Sequence, residues 1–373
     1  MGISGFIKKE FLLVFSALLA LISLFFVPFD TVFSYDYMRI TKTICTLLFF
    51  LLIVAGLKEC RALDYLAQKA VGSLKTTRAL CLTLIMLPFF SAMLFSNDVS
   101  LLTFVPIAIA ILAMANLKER IPVVIILQTV AANIGSSLTP FGNPHNLYMF
   151  NLHDLYGFSL MEFEIVLIPI VVVGLITFLA MSFLIKNNKI EVDMKEKVEI
   201  SQKPKLIVLA VMFLLAIVTV LDVIPFYITL AIMVVVFIVM MPKIFVKIDY
   251  GILFVFFFLF VFANGITNLE VIHDFIKDLM ETEPMLTTVL VSQFTSNVPS
   301  TILLQPFTDD WAAVLVGADI GGFGTPIASM ASVITLRLYL LEKDCNTKRY
   351  LLTFFLINVV MLLVLIPTYI FFR

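Results

Sequence analysis

Charge is what this chain has least of. Only 14% of its 373 residues are Asp, Glu, Lys or Arg, while 61% are hydrophobic. A soluble domain carries about a quarter charged residues. A water-soluble globular fold is therefore excluded, and a polytopic membrane protein is indicated. Lys and Arg sit mostly at the edges of apolar runs and form no basic stripe, which excludes a nucleic-acid partner. Cysteine is scarce too: Cys45, Cys60, Cys81 and Cys345 follow no metal-ligand spacing and read as small buried apolar residues. No Gly-x-x-x-x-Gly-Lys-Ser/Thr loop occurs, so ATP cannot drive work on this chain. Gly-x-Gly-Asp and His-Glu-x-x-His are also missing, which weighs against an intramembrane hydrolase or any other enzyme. No cofactor is expected beyond a coupling ion.

What the sequence has in abundance is apolar stretches near 20 residues, the length that spans a bilayer. They run at about 9–27, 40–57, 121–143, 163–185, 205–222, 225–241, 250–266, 311–341 and 351–371. Two further apolar regions, 77–115 and 285–308, carry polar residues at their middles. A continuous helix there would turn polar groups toward lipid, so each is expected to be a re-entrant hairpin with its tip inside the protein. Lysine and arginine placement tests this arrangement. Lys8 and Lys9, segment 58–78, Lys118 and Arg120, the six lysines of 186–205, Lys243 and Lys247, and Lys343, Lys348 and Arg349 fall on the inside. Loops 28–38 and 144–162, the acidic 267–284 and Asp309-Asp310 fall outside. The expected fold is all-α: about nine transmembrane helices, two re-entrant hairpins and two broken helices, in two inverted-topology repeats. Repeat one covers 1–185 (hairpin 77–115, broken helix 121–150). Repeat two covers 225–373 (hairpin 285–308, broken helix 311–341). Residues 186–224 form a cytoplasmic linker and a connecting helix. The N-terminus is expected inside the cell membrane and the C-terminus outside. Segments 58–76 and 267–284 read as interfacial amphipathic helices.

The polar stretches recur. Phe95-Ser96-Asn97-Asp98 is matched by Thr295-Ser296-Asn297-Val298, 200 residues later. Asn133-Ile134-Gly135-Ser136-Ser137-Leu138-Thr139-Pro140 is matched by Asp319-Ile320-Gly321-Gly322-Phe323-Gly324-Thr325-Pro326, 186 residues later. Paired breaks at corresponding points of two halves mark the binding site of a secondary transporter. Ser96, Asn97, Ser296 and Asn297 offer hydroxyl and amide groups at the hairpin tips; they also suit helix capping. Gly135, Gly142, Gly321, Gly322 and Gly324, with Pro140, Pro144 and Pro326, favour unwound backbone, and Pro299 joins the site candidates beside the second tip. Asn143, Thr139 and Thr325 stand beside the breaks as polar ligands. Asp98 and Asp319 are the only acids near the midplane; each either coordinates sodium, carries a proton or caps a helix. His145 is expected at the outer interface, with binding of substrate or protons as the alternative.

These motifs, together with Phe141-Gly142-Asn143-Pro144 and Pro299-Ser300-Thr301, resemble the ion transporter superfamily in its citrate-transporter-like branch. Relatives there are divalent anion:sodium symporters, arsenical pumps and sodium/proton antiporters. The resemblance spans nearly the whole chain. It implies a homodimer with a scaffold and a mobile transport domain, working as an elevator on a small anion (a carboxylate or inorganic oxyanion) coupled to Na+ or H+. Sodium candidates are Ser96, Asn97, Asp98, Ser296, Asn297 and Asp319. In the sodium-coupled carboxylate branch each hairpin tip reads Ser-Asn-Thr; here Asp98 and Val298 stand third, and the Asp form is similar to arsenical-pump and antiporter members. Cation/proton antiport or arsenite efflux is the alternative.

Overall fold

A computed structural model describes residues 11–72, 74–190, 198–267, 270–342 and 345–373. Lys8, Lys9, Lys343 and the 191–197 part of the charged loop lie outside the described residues. Every regular element among them is helical. We number the main helices α1 (Phe11–Leu24), α2 (Tyr37–Glu59), α3 (Ala62–Val71), α4 (Thr77–Phe95), α5 (Asn97–Met114), α6 (Ile121–Ser137), α7 (Pro144–Phe150) and α8 (Leu160–Phe183). They continue as α9 (Lys203–Val220), α10 (Phe226–Met240), α11 (Gly251–Ile266), α12 (Glu270–Thr282), α13 (Pro284–Thr295), α14 (Asn297–Leu304), α15 (Trp311–Gly321), α16 (Met330–Leu340) and α17 (Thr347–Phe372).

Among the described residues, seven helices are long and apolar enough to cross a membrane: α2, α4, α5, α6 with its preceding 3-10 turn, α8, α9 and α17. Two of the expected spans break in the middle. The stretch 121–143 is helical only to Ser137 and resumes at Pro144, while 311–341 is two helices, separated at 322–329. The expected spans α10 and α11 have 15 and 16 residues. At 1.5 Å per residue these reach only about 22–24 Å, short of a ~30 Å hydrocarbon core. The arms of the first polar-centred region, α4 and α5, are by contrast each of spanning length. Those of the second, α13 and α14, have 12 and 8 residues.

Packing sorts the helices into two groups. α1 lies along α11, and α2 lies along α9, α10 and α11. In the other group α4 and α5 pack on α6, α13 and α14 on α15, α8 on α17, and α16 on α5 and α6. Contacts of α11 with α14 and of α2 with α7 join the groups. The second group holds the deeply buried elements: every residue of α6 except Val123 is buried, as is every residue of α7.

Close approach needs glycine at two matched places. A Cβ on Gly135 would come within 2.1 Å of the Phe89 carbonyl oxygen of α4. One on Gly321 would come within 2.6 Å of Ser292 Oγ of α13. In both halves the outgoing hairpin arm therefore lies against the end of the first half of the broken helix. Gly135→Ala should cost about 1–3 kcal/mol by overpacking, because its obstacle is backbone that cannot rotate away. A thermal melt of the purified protein in detergent checks this; a Gly135→Ala variant that melts with wild type would refute the close approach.

Candidate functional site

Each polar-centred region turns on one residue. α4 ends at Phe95 and α5 begins at Asn97; α13 ends at Thr295 and α14 begins at Asn297. The serines between them share one backbone state, φ 79°, ψ 150° at Ser96 and φ 76°, ψ 154° at Ser296. A side chain at such a φ costs about 1–3 kcal/mol, and such strain collects at functional sites. Both turns are closed alike. The backbone N–H of Asn97 donates to Gly142 O at 3.1 Å, and that of Asn297 to Ala328 O at 2.9 Å. Each tip thereby occupies a carbonyl left open by the break in the following helix. Two threonines complete the clasp from the other side. Thr139 Oγ1 donates to Met93 O (2.6 Å) and Thr325 Oγ1 to Gln293 O (2.9 Å), each three residues before the tip serine. Inside each hairpin a serine pair ties the arms, Ser100 to Ser91 at 3.0 Å and Ser300 to Ser292 at 2.7 Å.

The asparagine side chains cap their own helices. Asn97 Oδ1 accepts from the Asp98 N–H at 2.8 Å, and Asn297 Oδ1 from the Val298 N–H at 3.0 Å. Pro299 has no N–H, and the Ser300 N–H donates to Ser296 O. The first turn of α14 thus has no free backbone donor. Its tip offers side-chain groups and carbonyl oxygens.

From the tips a hydrogen-bonded cluster crosses between the halves. Asn97 Nδ2 donates to Asn133 Oδ1 at 3.0 Å, and Ser329 Oγ reaches the same oxygen at 3.5 Å. Beside Ser329, Gly322 leaves room for Asn297: a Cβ there would be 3.1 Å from Asn297 Nδ2 and 3.7 Å from Ser329 Cβ. One turn along α6, Ser137 Oγ donates to Asp319 Oδ1 at 2.7 Å. Thr129 and Thr335 join α6 to α16 at 2.8 Å. Asn143 Nδ2 donates to Ser136 Oγ at 2.8 Å within the first break. Asn97, Asn133, Asn143, Ser296, Asn297 and Asp319 are all buried. Pro140, Gly142, Pro299, Gly321 and Gly322 are buried as backbone of the breaks and tips, while Thr139, Thr325 and Pro326 are half-buried. Asp98 stands apart from the cluster, half-buried on the tip of the first hairpin, with a buried Oδ1 that has no partner.

His145 overturns its expected place. It is fully buried (0% exposed), not at an interface, and its Nε2 lies 3.3 Å from Asp319 Oδ1. The reason is tertiary: α7 packs against α15 and carries its second residue inward. Ser136, Ser137, Asn146 and Ser329 were also missed as members of the cluster. Asn146 Nδ2 donates to Ser137 O at 3.1 Å, spanning the unwound turn. The motif itself held the signal, since these residues lie in or beside the quoted breaks.

An all-helical, apolar chain whose paired discontinuous helices meet in a buried polar centre has the build of a polytopic membrane transporter. The chain belongs to the citrate transporter family, whose model matches residues 5–319. It is 34% identical over 327 residues to an uncharacterized transporter of Methanocaldococcus jannaschii, covering 87% of this chain and 88% of that one. It is 28% identical over 345 residues to the inner membrane protein YbiR of Escherichia coli K12, covering 91% and 89%. The protein is thus an integral, multi-pass membrane transporter, not an enzyme, and its partners are the lipid bilayer and a small-molecule substrate.

The strained serines lead to a direct test. Ser296→Gly should hold or slightly raise the melting temperature, because glycine adopts this φ freely. Ser296→Val should lower it, by about 1–3 kcal/mol, since a β-branched residue is least tolerant there. Equal melting of the two variants would refute strain at the tip.

Proposed function

We propose that this protein is a secondary active transporter that moves a small anion, a carboxylate or inorganic oxyanion, coupled to Na+ or H+. The observation that carries the reading is the pair of strained one-residue turns, Ser96 and Ser296. Their asparagines meet one buried cluster through Asn133, Ser329 and Gly322. Polar backbone is tolerated at membrane depth only where protein or a cavity covers it. Two such turns converging on the crossing of two broken helices make a site reachable from opposite sides in turn.

The inverted arrangement of the halves is part of this proposal. The element order supports it: two helices, a short amphipathic helix, a paired hairpin, a broken helix and a long helix occur in 1–185 and again in 225–373. Four pairs between distant segments fit the assigned sides. Asp222 meets Lys42 at 2.7 Å and His153 at 3.5 Å, and Arg373 meets Asp310 at 3.1 Å, all outside. Lys247 meets Glu59 at 2.8 Å inside. In this reading the hairpins are re-entrant, and α4–α8 with α13–α17 form the transport domain. That unit slides as an elevator against a scaffold of α1, α2 and α9–α11, which pairs with a second copy. Tip amides would meet the anion. Ser96, Asn97, Asp98, Ser296, Asn297 and Asp319 supply oxygen for the coupling ion.

One observation favours the second reading, cation/proton antiport or arsenite efflux. No Lys or Arg occurs in α6, α7, α13 or α14, while Asp319 lies among them. Such a centre attracts a cation more than an anion unless a bound cation offsets the carboxylate.

Proteoliposome uptake separates the readings. With citrate, succinate, phosphate and sulfate as probes, an imposed sodium or proton gradient should drive accumulation of at least one. Asn97→Ala and Asn297→Ala should each reduce it by about tenfold or more, the loss of roughly one charge-assisted hydrogen bond. Gradient-driven sodium or arsenite efflux with no anion uptake would decide for the second reading.

A further inference from the structure

The two oxygens of Asp319, the carboxylate of the polar centre, are held differently. Asp319 Oδ1 faces two donors, Ser137 Oγ at 2.7 Å and His145 Nε2 at 3.3 Å. Asp319 Oδ2 is buried and has no partner. Its side chain is 1% exposed and that of His145 is 0% exposed. A bare carboxylate oxygen taken out of water is costly unless something meets it. No basic side chain of the packed elements is set to do so. α6, α7, α13 and α14 contain no Lys or Arg; Arg337 is in the last turn of α16, and Lys348 and Arg349 are in the first turn of α17.

We propose that His145 and Ser137 are positioning residues for coupling: they hold Oδ1 of Asp319 so that Oδ2 is the oxygen that meets the coupling cation. The inference rests on the transport reading above and deepens it. His145 acts as a hydrogen-bond donor. Its Nε2 carries the hydrogen, because it faces a carboxylate oxygen, and its Nδ1 is buried without a partner. Ser137 is itself held within α6, because its hydroxyl also lies 2.9 Å from Asn133 O, one turn back on the same helix. Asn133 in turn receives Asn97 from the first hairpin tip. The carboxylate of the second half is therefore oriented by side chains of the first. A cation on Oδ2 would tighten a contact between the halves next to both tips, which is where coupling to a substrate requires it. Partners that orient a cation ligand typically matter about 10–100-fold in affinity when removed.

The experiment uses the full chain purified in detergent, with thermal stability read in sodium chloride against choline chloride and across a series of pH values. Wild type should be stabilised by one of the two cations, sodium or the proton, and Asp319→Asn should lose that response. His145→Ala and Ser137→Ala should need about tenfold more of the cation for the same stabilisation. His145→Gln, which keeps an N–H donor, should respond nearly as wild type. Proteoliposome uptake of citrate, phosphate or sulfate then reads the same shift as a raised KM for the cation with maximal rate preserved. A folded His145→Ala protein with wild-type cation response would overturn the proposal. So would a His145→Gln protein as impaired as His145→Ala, because the ring's own protonation would then carry the effect. A wild type indifferent to both cations would overturn it as well. If none of the probe anions is taken up but the melting pattern holds, the transport reading fails and the positioning of Asp319 stands.

Discussion

A peptide group left unpaired in apolar surroundings costs several kcal/mol, and the second helix group of this protein is organised around that cost. Two broken helices and two one-residue turns expose carbonyls and N–H groups far from any loop. Each hairpin and the broken helix after it close one another's gaps. Asn97 occupies the Gly142 carbonyl and Asn297 the Ala328 carbonyl. Thr139 and Thr325 return the favour to the hairpin arms at Met93 and Gln293. Glycine at 135 and 321 lets the backbones come near enough for these bonds to form. A hairpin and its broken helix are thus one structural unit, and disturbing either should release both.

Where the halves depart from each other, the chemistry appears. Their shared scaffolding is neutral: serine, threonine, asparagine, glycine. Asn133 stands in one half where Asp319 stands in the other, so a single carboxylate enters the crossing of the two units. His145 has no matching residue in the second half's bonding pattern, and it lies against that carboxylate. The first tip carries Asp98 where the second carries Val298. The backbone needs of the two matched stretches are met twice in the same way, and the carboxylates sit on only one side of each matched pair.

Much of this was legible in the sequence, for a physical reason. Gly, Pro, Ser and Asn in the middle of an apolar run cannot continue a lipid-facing helix, so the breaks near 96, 138–143, 296 and 322–329 announced themselves. So did the helical class and the membrane setting, since 61% hydrophobic residues leave no aqueous alternative. Recurrence of Ser-Asn and of the Gly-Thr-Pro pattern also identified which residues would stand near one another. These readings depend on local backbone chemistry and on spacing, which a chain carries wherever it folds.

Tertiary packing alone decided the rest. His145 follows Asn143-Pro144 and reads as the start of an outer loop; only the docking of α7 on α15 buries it beside Asp319. The serines at 136 and 137 look like helix-breaking filler, until the opposite half brings a carboxylate to one of them. Composition determined that this chain enters a membrane and where its helices give way, because those are properties of each short segment. Which buried oxygen faces which donor was settled by the meeting of segments some 180 residues apart, as in the Ser137–Asp319 bond, and no local pattern records such a meeting.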